Sequence, residues 1–305
     1  MSPITLFPRR DGRPGNTVAG PGGRGRRHAA VAVAIAGALL AAGCTGDAGD
    51  AVAGPDGDEL TLEHVHGLGV DPADGAVYAG THYGLMKVSP DGELSRVADR
   101  IQDFMGFTVV GPEHYLASGH PGEGQSGPSN LGLIESTDGG QTWTTLSLAG
   151  EADFHAIDAT GGQTYGYSGG RLLVSENGTE WTDRGEMNIA DLAVDPHVSS
   201  RVLVTTEEGL ALSEDSGETF EVVPESPVLL LVDFSASAGE AVGISPEGVV
   251  YASSDGGQSW LERGDVGATP EALGVDGEDV YVAVDGVILV STDGGGTFTD
   301  LYRGE

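Results

Sequence analysis

One cysteine, Cys44, stands in a chain of 305 residues. That excludes a disulfide framework, a multi-thiolate metal centre and a C-x-x-C redox pair. Lysine is confined to Lys87, and basic charge is scarce throughout. Residues 1–43 hold six arginines (Arg9, Arg10, Arg13, Arg24, Arg26 and Arg27) and one acid, Asp11, which leaves 8 basic residues against 46 acidic ones, a formal −38. Such a surface repels nucleic acid and attracts cations. Aromatics make up only 6% of the chain, whereas glycine reaches 51 residues. That composition suits a turn-rich β protein better than a helical one. No Walker-type loop and no Ser-His-Asp spacing is present. The single long apolar run, Ala29 to Cys44, is too short for a comfortable membrane span but fits the apolar core of an export signal behind Arg24, Arg26 and Arg27.

The end of that run, "LLAAGC", resembles a bacterial lipobox, which implies lipidation at Cys44 and gives the lone thiol a purpose. The expected organisation is a lipoprotein signal over 1–44, a flexible acidic tether over 45–58 and a folded domain over 59–305. The location that follows is outside the cytoplasm, anchored to the bacterial membrane through Cys44.

From about residue 60 the sequence repeats. Hairpin-like segments read "STDGGQTW" from Ser136, "SENGTEW" from Ser175, "SEDSGETF" from Ser213, "SSDGGQSW" from Ser253 and "STDGGGTF" from Ser291, with a weaker "SPDGEL" from Ser89. The serines are 47, 39, 38, 40 and 38 residues apart. A period near forty with strand-like runs is the signature of propeller blades. The expectation is an all-β, six-bladed β-propeller with four-stranded blades.

These segments resemble Asp-box (BNR) repeats of the pattern S-x-D-x-G-x-T-W, found in sialidase-like propellers and in bacterial lipoproteins labelled glycosylhydrolase. The resemblance speaks to fold and gives Asp138, Asn177, Asp215, Asp255 and Asp293 a structural role. Their oxygens can accept hydrogen bonds from turn amides. Trp143, Trp181, Phe220, Trp260 and Phe298 are expected to fill the gaps between blades. The copy at Ser175 is one residue short with Asn177 for aspartate, and the copy at Ser89 lacks the aromatic. One carboxylate per turn falls short of a calcium site.

The innermost strands can be aligned on Leu68, Phe107, Ile157, Leu192, Leu230 and Leu273. Two residues upstream lie His66, Met105, His155, Ala190, Val228 and Glu271. Four upstream lie His64, Asp103, Asp153, Asn188, Ser226 and Thr269. Strand periodicity sets both groups at one mouth of the central channel. The ends of the second strands bring His82 and His120 to the same mouth, beneath a long loop, "HPGEGQSGPSN", from His120 to Asn130. Five of the eight histidines then share one face, and four of the five belong to blades one and two.

Imidazole, thioether and carboxylate together suit a borderline transition metal, copper before zinc. The candidate metal or small-ligand residues are His64, His66, His82, Met105, His120, His155, Asp103, Asp153 and Glu271. A polar channel holding water is the plain structural alternative. A second functional reading is a glycoside hydrolase using Asp103, Asp153 and Glu271. It would not be a true sialidase. That family's F/Y-R-I-P segment and arginine clamp are missing, and carboxylates cannot replace a bidentate guanidinium. A third reading is a scaffold for another exported protein.

Overall fold

The computed structural model describes residues 60–99, 101–122, 124–236 and 239–304. The expected export signal with Cys44 and the expected tether lie outside them. The described residues contain strands and turns and no α-helix.

Twenty-four strands form six antiparallel four-stranded sheets. Blade one comprises β1 (Val65–Val70), β2 (Val77–Thr81), β3 (Gly84–Val88) and β4 (Leu94–Arg96). Blade two comprises β5 (Asp103–Gly111), β6 (His114–His120), β7 (Leu133–Ser136) and β8 (Thr144–Ser147). Blade three comprises β9 (Ala156–Thr160), β10 (Gln163–Ser168), β11 (Arg171–Ser175) and β12 (Trp181–Glu186). Blade four comprises β13 (Ile189–Val194), β14 (Val202–Thr206), β15 (Gly209–Ser213) and β16 (Glu221–Val222). Blade five comprises β17 (Leu231–Phe234), β18 (Ala241–Ile244), β19 (Val249–Ser253) and β20 (Leu261–Asp265). Blade six comprises β21 (Ala272–Asp276), β22 (Asp279–Val284), β23 (Val287–Ser291) and β24 (Thr299–Arg303).

Each blade is built from consecutive strands, so among the described residues no strand is exchanged to lock the ring. Closure comes from packing. Leu62, Val65 and Leu68 of the first blade share a buried cluster with Ala272, Ala283 and Ile288 of the last. The backbone N–H of Val65 adds a hydrogen bond to Glu271 Oε2 at 2.9 Å.

Similar clusters fill every gap, and the repeat aromatics sit in them in order. Trp143 packs with residues of blades one and two, Trp181 with two and three, and Phe220 with three and four. Trp260 joins the gap between blades four and five, and Phe298 that between five and six. The weak first repeat has no aromatic, and Leu94 occupies its place against the closing seam.

The hairpin tips show why the serine and aspartate recur. Ser136 Oγ donates to Asp138 Oδ1 at 2.9 Å and accepts the Gly140 N–H at 2.8 Å. Asp138 in turn accepts the N–H and hydroxyl of Thr142. Gly140 adopts φ +82°, where a side chain would be strained and would collide with Leu85. The same bonds recur at Ser213, Ser253 and Ser291. Asn177 keeps the acceptor role without charge, taking the Thr179 and Glu180 N–H groups. Ser213 and Ser253 are buried, so Ser213→Ala or Ser253→Ala leaves a glycine N–H and an aspartate oxygen short of a partner. Each variant is expected to lose about 1–2 kcal/mol in equilibrium urea unfolding.

Candidate functional site: an imidazole-lined channel mouth

The first strand of each blade starts at one end of the channel and the second returns to it, as the antiparallel registers require. The Asp-box turns follow the third strands and therefore lie at the opposite end. A local irregularity aims the mouth residues. In β1 the register shifts between Val65 and Gly67, leaving His66 as the extra residue of a bulge. Met105 is the extra residue on β5 and Ala190 on β13. His155, Leu230 and Glu271 hold the equivalent places. The N–H of each bonds the carbonyl already opposite its successor: Tyr167, Ile244 and Ala283. A bulge re-aims its side chain out of the ladder, and six of them form one ring.

Blade five differs from the expected alignment. Val232, opposite Gly243, corresponds to Leu68 opposite Ala79. The ring position there is Leu230 rather than Val228, which is 66% exposed. The apolar run Val228–Val232 fits the strand pattern in two registers of equal parity, and only the pairing separates them.

The imidazoles gather in two groups. In the first, His66 Nε2 faces His82 Nε2 at 3.1 Å, and His82 Nδ1 meets Asp103 Oδ1 at 2.5 Å. A carboxylate only accepts, so the His82 Nδ1–H donates to Asp103 and the ring turns Nε2 towards His66. The His64 ring lies edge-on to His82, 5.4 Å between centroids, and its backbone adopts φ +52°. That conformation is costly for a non-glycine residue and gathers at functional sites. Burial and the neighbouring His82 push the His66 pKa down to about 4. His66 is therefore neutral at physiological pH.

The second group is centred on Asp153. His155 Nε2 lies 3.0 Å and His120 Nε2 3.4 Å from Asp153 Oδ2. His120 Nδ1 donates to the Ser129 carbonyl at 2.8 Å, so the long loop of blade two fixes this ring. Asp153 Oδ1 is buried and has no hydrogen-bond partner. Burial opposes its charge, yet the bond to His155 and the nearby imidazoles bring the Asp153 pKa below the ordinary value. The same bond raises His155.

His66, His155 and Glu271 open together onto the channel, a narrow cavity of about 90 Å³ lined by the innermost strands. His64 and Glu271 also border a cleft of about 460 Å³ at the seam of blades six and one. Glu271 is committed to the Val65 N–H. Met105 is half-buried on its bulge. Among the described residues, no three His, Cys, Asp or Glu side chains surround a common point as a ready metal cage. The donors meet in twos instead. His114 pairs with Glu135 at 2.8 Å, and His197 bonds the Ala236 carbonyl at 2.7 Å.

Below the mouth the channel holds three carboxylates that the histidine-centred reading passed over: Asp158, Asp191 and Asp233. Each sits on an innermost strand and accepts an N–H from the next blade's innermost strand. The donors are Val194 at 2.7 Å, Val232 at 2.9 Å and Val275 at 2.8 Å. These N–H groups face the channel, where no further strand can pair them, and the carboxylates supply the missing acceptors. A water can touch each carboxylate from the channel, while protein surrounds it on every other side. Burial is the main cause that raises all three, Asp191 to about 7, and mutual repulsion adds to it for Asp191 and Asp233. The available signal was an aspartate one residue from the apolar anchor in three consecutive blades: "AIDAT", "ADLAV" and "LVDF".

Fold and hairpins define the class: a six-bladed β-propeller carrying Asp-box repeats. The BNR/Asp-box repeat profile matches residues 134–145, the hairpin between β7 and β8. Among solved structures, a gluconolactonase from Xanthomonas campestris is 9% identical with a TM-score of 0.59, covering 73% of this chain and 84% of that one. YCF48 from Cyanidioschyzon merolae is 13% identical, TM-score 0.53, over 76% and 97%. A GH74 xyloglucanase from X. campestris is 16% identical, TM-score 0.51, over 78% and 45%. The chain spans about half the length of the GH74 enzymes it matches, 45% of this one and 56% of that from Niastella koreensis. At these identities the likeness is one of fold. No curated protein matches the chain in sequence.

Proposed function

We propose that the chain is an exported, lipid-anchored propeller that binds a borderline transition-metal ion, copper or zinc, at its channel mouth. One observation carries the reading: His66 Nε2 and His82 Nε2 face each other at 3.1 Å while Asp103 holds the far nitrogen of His82. A carboxylate behind an imidazole is the arrangement that fixes a metal-ligating tautomer and raises its basicity. His66 is neutral at physiological pH, so no charge on its ring opposes a cation. The strongly acidic surface raises the local concentration of cations. Met105, on the adjoining blade's bulge, is the soft donor that would favour copper over zinc. Export and anchoring rest on the Arg24–Cys44 segment.

Competition titration with copper(I), copper(II) and zinc tests the reading. His66→Ala and His82→Ala are each expected to weaken binding at least tenfold, and His114→Ala to leave it unchanged. Equal affinity in all three variants removes the proposal. The hydrolase reading has less support, because Asp103 and Asp153 are engaged by imidazoles and Glu271 by backbone. Turnover of any substrate in a glycoside panel, abolished by Asp153→Asn, would reverse that order.

A further inference from the structure

We infer that the outer edge of blade four receives an extended segment of a partner protein, apolar at the residue opposite Val222 and basic on either side of it. The inference is independent of the metal reading. A propeller leaves the outermost strand of each blade with an unpaired edge, and such edges are commonly blunted by bulges or by charge. Among the described residues, the outer strand pairs of blades two, three, five and six each contain a bulge. The outer strand of blade one carries Arg96. β16 has neither a bulge nor a basic residue, and its Val222 is 61% exposed.

Hydrogen-bond parity sets what this edge offers. The Val223 N–H bonds the Leu210 carbonyl, so Val223 and Glu221 point their polar backbone groups inwards at β15. Val222 lies between them and turns its N–H and C=O away from the blade. Side chains alternate with the same period. Val222 shares the face of Ala211, towards blade three, while Glu221 shares the face of Leu212, towards blade five. On that second face Glu221 and Glu214 border a cleft of about 440 Å³ between blades four and five. An incoming strand that exchanges both backbone bonds with Val222 sets one side chain directly across from it. That side chain covers an exposed valine and is therefore apolar. Its two neighbours fall on the other face, beside the carboxylates, and are therefore lysine or arginine. Glu214 already meets Arg201 at 3.4 Å, so Glu221 supplies most of the attraction. Main-chain bonds give such a complex its affinity and the alternating side chains its specificity. A second copy of this chain, with a formal net charge of −33, is repelled from the same edge.

The probe is a fluorescently labelled seven-residue peptide alternating lysine and valine, titrated with the whole chain at physiological salt and followed by anisotropy. A peptide of the same composition with its lysines and valines in separate blocks is the first comparison, and an alternating glutamate–valine peptide the second. The alternating lysine–valine peptide is expected to bind at least tenfold tighter than either. Val222→Pro removes the outward N–H without touching a bond to β15 and should weaken binding at least tenfold. Glu221→Lys should do the same, and Leu261→Ser on the outer strand of blade five should change nothing. Hydrogen exchange at the Val222 amide of the unaltered chain should slow when the peptide is added, a readout that needs no variant to fold. Equal binding of the alternating and block peptides, or unchanged binding in Val222→Pro, reduces the effect to the acidic surface and overturns the site. So does Val222 exchange that saturating peptide leaves unchanged, or no binding of the alternating peptide at all. Self-association abolished by Val222→Pro would give the edge to a second copy and overturn the proposed partner.

Discussion

Asp71→Ala is expected to destabilise the propeller by about 3–4 kcal/mol, a fall in melting temperature of roughly 6–16 °C for a domain of this size. Asp71 is only 1% exposed, and its partners among the described residues are hydrogen-bond donors rather than basic side chains. Its stabilisation comes from hydrogen bonds across a blade boundary. Oδ1 accepts the N–H groups of Ala73 at 2.8 Å and Glu113 at 3.1 Å. Oδ2 accepts the Tyr115 hydroxyl at 2.5 Å, and Tyr115 is fully buried. Burial, with that bond second, holds the Tyr115 phenol protonated well above its ordinary range. Truncation takes from the buried Tyr115 hydroxyl its carboxylate acceptor, leaving only the neighbouring Tyr78 hydroxyl, and frees the first turn of blade one from blade two. Water can rescue the N–H groups of Ala73 and Glu113, which lie in exposed turns, but not the phenol. Asp71→Asn, which keeps one acceptor, should cost about half as much. Urea unfolding of the two variants beside Tyr115→Phe measures this. A loss in Asp71→Ala no greater than in Tyr115→Phe would mean that the backbone bonds contribute nothing.

Asp71 also shows what a repeat makes visible. Its counterpart Asp195 in blade four caps His197 and Val198 and holds Arg201 at 2.9 Å. Both occur in a "VDP" string at the end of an innermost strand. Blade number, strand order and the gap-filling aromatics were legible for the same reason. Each depends on a local pattern that recurs from blade to blade, and repetition averages out local ambiguity. The Asp-box hairpin is local chemistry within eight residues, so the spacing of its serines fixed the blade count.

The mouth was legible only in part. Histidines sharing a register position did reach the same end of the channel, because strand parity decides that. What parity cannot show is the bulge, which depends on pairing with the second strand and turns His66, Met105 and His155 out of the ladder. Nor can it say which imidazole meets which carboxylate. His82 with Asp103 is a contact 21 residues apart set by how blades one and two dock, and His120 with Ser129 is one 9 residues apart set by the fold of blade two's own loop. Blade five slipped by two residues because Val228–Val232 is apolar at almost every position. The channel aspartates were missed for another reason. An acid beside an apolar anchor reads as an exposed residue on an alternating strand, whereas an innermost strand has its edge on the channel and both faces against other blades.

Those aspartates carry the last large effect, and its sign runs against the usual behaviour of carboxylates. An acid whose folded pKa lies above its unfolded value binds protons more tightly when folded. Its contribution to stability is full below the unfolded pKa, near 4, and is lost as pH rises through the folded one. For Asp191 that window ends at about 7, and Asp233 is raised in the same direction by burial and by repulsion from Asp158 and Asp191. The propeller should therefore weaken between about pH 4 and 8, as charge accumulates in a narrow channel. The double variant Asp191→Asn/Asp233→Asn removes that charge. Each amide oxygen can still accept the N–H of Val232 or Val275, and the amide hydrogens can reach channel water. It is expected to match wild type near pH 4 and to exceed it by about 1–3 kcal/mol at pH 8, held down because water reaches the groups. Denaturation midpoints at pH 4, 5, 6, 7 and 8 supply the comparison, and the difference between the two chains cancels the titration of the acidic outer surface. A double variant less stable than wild type at pH 8, with the same slope, would show that the ionised carboxylates hold blades four to six together more strongly than they repel.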